Sequence, residues 1–473
     1  MLGTLEGGRI VLSELHRFPS AMVSVGGTLR WNVLRIFEEL KTGLKEAARK
    51  GVSPCGVSTD SWGVDYVLLR DGEPFLTAPF HYRDGRTDGA PERVFAKVAA
   101  GQVFERTGIQ FMQFNTLYQL HEDVLSRPEI LDACDGFLNI ADYFNYLMSG
   151  VRRAEESLAS TTQMYDPRSR EWALDLAGSL GIPARIFPGI VPSGTVLGVL
   201  ERSLAQEVGL AGVQVIAGCS HDTGAAVAAV PAEGTGWAYL SSGTWSLLGV
   251  ELKAPLISPD SRALNFTNEA GFGGTTRFLK NIVGLWLVQE CRREWAAAGE
   301  DYTYAELAEM AAAASPLRSL VRPDAARFLK PGGMPSKIAA FCRDSGQHEP
   351  SSPGEFVRCA VESLALVYRQ TLAEIEEVSG VSIDRIHIVG GGSQNDLLNQ
   401  AAADATGRSI LAGPVEATAL GNVLIQAVAL GHLGSLDELR SVVRESVSLR
   451  TFQPLESAAW EDAAIRFASL PRE

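Results

Sequence analysis

Twice in this chain a β-branched run stops at a glycine-containing turn and passes straight into a helix-forming stretch: VQVIAGCSHDTGAAVAAV at 213–230 and RIHIVGGGSQNDLLNQ at 385–400. A strand that feeds a helix through a tight turn is the building unit of layered α/β folds, and it exposes backbone N–H groups where a ligand can reach them. The rest of the chain agrees with that reading. WNVLRIFEELKTGLKEAARKG (31–51) carries apolar residues at helical spacing and ends at a glycine stop, and further helices are expected at about 285–297, 304–314, 354–378 and 394–406. Antiparallel ribbon is expected at RIVLSELHRF (9–18) after the EGG turn, at VDYVLLRDGEPFLTAPF (64–80) around Asp71-Gly72, and at GWAYLSSGTWSLLGVEL (236–252).

A chain of 473 residues is too long for one core, and PAEGTG (231–236) reads as a joint between two lobes, 1–230 and 231–473. The formal net charge of −14 argues against a general nucleic-acid or anionic-membrane binder, because the field of the whole molecule repels phosphates. A small anion can still be held locally. The six cysteines are too sparse for a disulfide scaffold and lack the close pairs of a zinc site, so reduced thiols and a cytoplasmic protein are expected. No apolar run approaches the ~20 residues of a membrane span, and the N-terminus has no signal pattern.

Asp222 stands where the helix after VQVIAG begins, and two roles suit it. It is either an N-cap, stabilising the helix by ~1 kcal/mol, or a carboxylate offered to a ligand at the turn. SSGTWS (241–246) is a hairpin turn whose Thr244 hydroxyl and amides suit a phosphate. In VGGGSQNDLLNQ (389–400) glycine lets a ligand approach the backbone closely. NEAGFGGTTRFLKN (268–281) reads as tight-turn packing, and Trp62 and Trp286 read mostly as packing. None of these turns is a Walker loop or a G-x-G-x-x-G fingerprint.

Taken in order, STDSWGVDYVLL, HYRDGRTDG, TGIQFMQFNTLYQL, SHDTGAAVAAV, YLSSGTWSLLGVEL, LKNIVGLWLVQE, HIVGGGSQNDLLNQ and AGPVEATALGN resemble the FGGY carbohydrate kinases across almost the whole chain. Within them, TGIQFMQFNTLYQL and LKNIVGLW resemble the branch that phosphorylates L-rhamnulose at its 1-hydroxyl. The resemblance implies a two-lobed actin-like, ribonuclease-H-like fold with a central cleft, ATP and Mg²⁺ as cofactors, and no dedicated protein cage for the metal. It implies a monomer or weak homodimer. It makes Asp222 the general base, places Gly63, His221, Thr223 and Asn281 against the sugar, and gives Thr244, Gln289, Gly391 and Asn395 to the nucleotide. Some members of that branch carry a disulfide at positions matching Cys342 and Cys359, while two free thiols suit the cytoplasm equally.

The resemblance departs at the beginning. FGGY kinases open with a strand and a phosphate-gripping turn, whereas MLGTLEGGRIVLSELHRF matches only from the second strand, so a start upstream of Met1 is expected. Two other readings stay open: an FGGY kinase of fuculose or xylulose, and a sugar-binding pseudokinase.

Overall fold

The structure is a computed structural model, and it describes residues 1–19, 22–74, 78–455 and 458–471. The chain forms two units. The first gathers Met1–Pro231, Glu251–Phe278 and Thr418–Ser446; the second gathers Ala232–Val250, Leu279–Ala417 and Val447–Glu473. Two segments distant in sequence thus complete the first unit, and the last helix, Ala458–Ala468, belongs to the second.

The first unit opens on two hairpins. Leu2–Glu6 pairs with Arg9–Ser13, which accounts for the ribbon expected at 9–18, and Met22–Val25 pairs with Thr28–Trp31, a hairpin the sequence reading did not foresee. Tyr66–Arg70 turns back into Glu73–Pro74 through Asp71-Gly72, and the remainder of that expected second run falls partly outside the described residues. In all three hairpins both turn residues have positive φ, from 53° at Asp71 to 80° at Gly27. That is the twist that joins two right-twisted strands without splaying them. The helix expected at 31–51 runs over Val33–Arg49. Asn32 caps it by accepting from the Arg35 N–H at 3.1 Å, and Val33, Ile36 and Ala47 face inward.

Gln214–Ala217 lies parallel to Gly56–Val57 and antiparallel to Thr195–Val199. The parallel alignment continues past the strand ends. Ser61 N–H donates to the Ser220 carbonyl at 2.9 Å, and Asp222 N–H donates to the Ser61 carbonyl at 3.0 Å. These bonds carry the chain into the helix Asp222–Ala228 with the segments 56–61 and 214–222 side by side.

In the second unit, Trp245–Leu252, Trp237–Ser242, Arg385–Val389, Ser409–Ala412 and Arg450–Phe452 are successive neighbours in one sheet. Trp237–Ser242 pairs antiparallel with the strand that follows it and parallel with Arg385–Val389, with Ser241 opposite Val389. Three expected helices lie at Trp286–Ala297, Tyr304–Ala313 and Pro353–Ser379. The fourth begins later than expected, at Asp396, because Gly391–Gln394 forms a 3₁₀ turn first. Cys342 and Cys359 are buried free thiols; the Cys342 thiol beside it, and then burial, push the Cys359 thiol well above its ordinary range. Among the described residues no helix is long and apolar enough to cross a membrane.

Candidate active site

The geometry around Asp222 decides between its two roles. His221, not Asp222, is the N-cap of the helix, and Asp222 is its first residue. A capping carboxylate accepts from the second or third helical N–H. Asp222 Oδ1 takes the second helical N–H, that of Thr223, at 2.5 Å and the Thr223 hydroxyl at 3.2 Å, but it does so from inside the helix and not from the N-cap position. The expected cap is therefore corrected. Its side chain is 45 % exposed in a segment that is otherwise buried, so the carboxylate is free to meet a ligand.

A second carboxylate, which the sequence reading passed over, stands beside it. Asp60, one residue before the Ser61 that is paired with this segment, accepts from Asn422 Nδ2 at 2.5 Å, and Asn422 Oδ1 accepts from Gln426 at 2.7 Å. One helix, Ala417–Ala429, thereby reaches both acids, since Thr418 Oγ1 donates to the Asp222 carbonyl at 3.3 Å. Residues 418, 422 and 426 are spaced by four and share a helix face.

Burial, and then the Asp222 charge, push the Asp60 carboxyl up to about 7. Between the ordinary carboxylate range and that value the folded protein holds a proton that the unfolded chain releases, so stability falls as pH rises through the window. Asp60→Asn removes this dependence. The gain in melting temperature of the variant over the parent should be larger at pH 8 than at pH 5, and equal differences would refute the assignment.

His221 is buried. Its Nε2 lies 3.5 Å from Asp222 Oδ1, and its Nδ1 lies 3.1 Å from Arg277 Nη2 and 3.2 Å from Glu269 Oε2. Both partners come from the stretch read as turn packing. Thr223 is 7 % exposed; its hydroxyl donates to Asp222 Oδ1 and keeps its acceptor lone pairs. Gly63 has a reason of its own within the protein: a Cβ there would stand 2.8 Å from Thr161 Oγ1 and 3.1 Å from Thr161 Cβ. Next to it, Val64 takes a φ of 68°, a left-handed conformation costly for a β-branched residue. The following residue, Asp65, is wholly buried. It gathers donors from Trp31 Nε1 at 2.6 Å, Trp62 Nε1 at 3.0 Å, Tyr82 N–H at 3.1 Å and Gln119 Nε2 at 3.0 Å, and burial raises its carboxyl to about 6. Trp62 also packs on Trp31, with ring centroids 4.2 Å apart. Trp286 is 7 % exposed and donates to the Phe328 carbonyl, a packing residue as read.

The nucleotide candidates and Asn281 belong to the second unit. Thr244 sits at the tip of the Trp237–Leu252 hairpin and donates to Gln289 Oε1 at 2.9 Å. Gly284 and Leu285 N–H groups donate to the carbonyls of Thr244 and Gly243, which fastens the tip to the start of the Trp286–Ala297 helix. The glycine turn packs on the same hairpin. A Cβ on Gly392 would lie 2.0 Å from Ser242 Oγ, while one on Gly391 would meet nothing within 4 Å. Gly391 thus presents an open backbone edge above a tightly seated neighbour. Asn395 was expected inside the next helix, beginning at about 394. It is the N-cap, its Oδ1 accepting from Leu398 N–H at 3.0 Å, because the 3₁₀ turn delays the helix. Asn281 is half-buried on the strand Thr276–Val283. Among the described residues no three or more His, Cys, Asp or Glu side chains gather to hold a metal ion.

Known proteins match these features along the chain. Residues 6–229 match the N-terminal domain, and residues 238–430 the C-terminal domain, of the FGGY family of carbohydrate kinases. A rhamnulokinase of Bacteroides thetaiotaomicron is 41 % identical over 472 residues, covering 100 % of this chain and 96 % of the relative. One of Oceanobacillus iheyensis is 39 % identical, covering 95 % and 94 %. In three dimensions the chain is similar to a ligand-bound xylulose kinase from Lactobacillus acidophilus, with a TM-score of 0.79 at 15 % identity over 98 % of this chain and 92 % of the other. It is likewise similar to Plasmodium falciparum glycerol kinase with ADP, with a TM-score of 0.75 at 14 % identity over 95 % and 92 %. At such identity the structures speak for the fold alone. Two family domains matched end to end, on a fold shared with sugar kinases, leave one conclusion: the chain belongs to the FGGY family of carbohydrate kinases.

Proposed function

We propose that this protein transfers the γ-phosphoryl group of ATP to the 1-hydroxyl of L-rhamnulose, with Asp222 as the general base. The observation that carries the substrate is similarity along the entire chain, near 40 % identity, to proteins that are rhamnulokinases. The observation that supports the base is local: a half-exposed carboxylate that is not the helix N-cap, at a strand-to-helix turn.

In this reading Asp222 orients the attacking hydroxyl and takes its proton late, once the bond to phosphorus is forming. Positioning and charge stabilisation dominate phosphoryl transfer, so a weak base suffices. His221, Thr223, Gly63 and Asn281 contact the sugar. Thr244 and the backbone amides of its turn hold phosphate, with Gln289 beside them, and the adenosine lies against Gly391 with Asn395 nearby. Asn395 keeps its amide nitrogen for that task, because capping uses only its oxygen. Mg²⁺, when bound with the nucleotide, would be held chiefly by phosphate oxygens and water as such ions usually are, and would supply charge neutralisation on the transferring group.

The test is substrate competition. With ATP and Mg²⁺, L-rhamnulose should give a kcat/KM at least ~10-fold above L-fuculose and D-xylulose, since a hydroxyl mismatched to a hydrogen-bonding site costs more than ~1 kcal/mol. A higher value for either competitor would assign the protein to a different ketose.

A further inference from the structure

We propose that Ser157 is a positioning residue for Asp222, and that Glu155 and Ser157 together do for the helix Asp222–Ala228 what its own N-cap does not. The first N–H groups of any helix lack partners inside it, and a local side chain usually serves them. Here the N-cap His221 makes no side-chain cap bond. The donors of the turn go to other segments. Ser220 N–H donates to Glu155 Oε2 at 3.0 Å, His221 N–H to Ser157 Oγ at 3.0 Å, and Asp222 N–H to the Ser61 carbonyl at 3.0 Å. Three successive N–H groups are thus held from outside, two of them by side chains 65 and 64 positions earlier.

The support is itself buried and fixed. Glu155 precedes the helix Glu156–Thr161, all 6 residues of which are buried, and caps it by accepting from the N–H groups of Ser157 at 2.9 Å and Leu158 at 3.3 Å. Asp142 Oδ1 accepts from the Glu155 N–H at 3.1 Å, and the hydroxyls of Ser157 and Ser193 both bond to the Glu155 carboxyl. Glu155, Ser157 and Ser220 have no exposed surface. The same helix confines Gly63 through Thr161, so one small element touches both the turn of Asp222 and a candidate sugar contact.

The direction of the two bonds to the turn does not depend on protonation. A backbone N–H only donates, so Glu155 and Ser157 are the acceptors whatever proton the carboxyl holds. With those donors served from other segments, the Asp222 carboxylate is left with the N–H and hydroxyl of Thr223 and stays 45 % exposed. Alanine at 157 removes the acceptor of the His221 N–H, and a buried orphan donor is costly enough to shift the turn that carries it. Asp222 is the next residue. The anchoring rests on geometry alone; only its use in phosphoryl transfer rests on the function proposed above.

The experiment compares Ser157→Ala with a matched control, Ser363→Ala, in the full-length protein. Ser363 is a buried serine on the helix Pro353–Ser379 whose hydroxyl likewise accepts a backbone N–H from a distant segment, that of Val321 at 2.9 Å. Alanine is nearly isosteric and a better helix former, so both variants should fold, with similar falls in melting temperature. Histidine-selective ¹⁵N labelling resolves the backbone amide of His221, assigned by its loss in His221→Asn, and hydrogen exchange is followed without sugar or nucleotide. Ser157→Ala should speed exchange of that amide at least ~10-fold over the parent, and Ser363→Ala should not. With L-rhamnulose, ATP and Mg²⁺, Ser157→Ala should lower kcat by roughly 10- to 100-fold, as a small misplacement of a catalytic group does, at an unchanged KM for ATP. Ser363→Ala should keep the parent's kcat. Unchanged exchange in Ser157→Ala overturns the anchor, and so does a parent His221 amide that exchanges as fast as unstructured chain, a result that needs no variant. Freed exchange with a parent-like kcat overturns the positioning role. Because exchange needs no sugar, and Asp222→Asn tests the base by itself, a wrong substrate or a wrong base would leave the anchor standing.

Discussion

Asp222→Asn should lower kcat by 10²–10⁴-fold, the usual contribution of a general base, while leaving the KM for the ketose within a few-fold of the parent. The amide keeps the size of the carboxylate and can still accept from the Thr223 N–H, but it cannot take the proton of the attacking hydroxyl. Its structural debt is small. Asp222 is not the helix N-cap, its bond to the Thr223 N–H is one the amide keeps, and nearly half its side chain is in solvent, so the melting temperature should move by no more than a typical surface substitution. Steady-state kinetics and a melting curve on the same preparation separate the two roles. Turnover near the parent's, with a lowered melting temperature, would return Asp222 to a structural part and remove the proposed chemistry from this turn.

The largest effect on stability is expected at Gly421→Ala. The helix Ala417–Ala429 passes the helix Asp222–Ala228 backbone to backbone, and a Cβ on Gly421 would lie 1.8 Å from the carbonyl oxygen of Ala225 and 2.5 Å from its carbonyl carbon. No rotamer relieves such a contact, because the obstacle is main chain. The helices must separate, at a cost toward or above the upper end of the ~1–3 kcal/mol usual for overpacking. For a unit of this size that corresponds to a fall of roughly 5–10 °C in melting temperature. Activity should fall with it, since the Ala225 N–H donates to the His221 carbonyl at 3.0 Å and any shift is passed to His221 and Asp222. Gly178→Ala is the control. That glycine lies in the helix Leu174–Ser179 with nothing within 4 Å of an added Cβ, and the substitution should be neutral or stabilising by ~0.5–1 kcal/mol. Equal melting of the two variants would show that the helices do not meet at Gly421.

The two glycine variants also show how differently local and distant information is written in this chain. The hairpin at Asp71-Gly72, the helix after Asn32 and the two strand-to-helix turns were legible because each depends on spacing and turn chemistry within a few residues. Errors at that level were short in range. Asn395 was placed inside its helix and not at its cap because nothing in GGGSQN distinguishes a 3₁₀ turn from the first turn of an α-helix. Asp222 was a candidate cap because an acid before a small apolar run looks the same whether it holds the helix or merely begins it.

What the sequence by itself determined is the succession of elements, the α/β class, and through its motifs the family and the carboxylate at the turn. What only the tertiary structure decided is the company that carboxylate keeps. Asn422 bonds to Asp60 across 362 positions, Arg277 reaches His221 across 56, and Gly63 is confined by Thr161 nearly a hundred residues later. None of these pairs shares a helical or strand period, and each is selected by packing. A buried charge or a missing Cβ is tolerated only where a complementary group from elsewhere fills the need, and that need appears only once the segments are folded together.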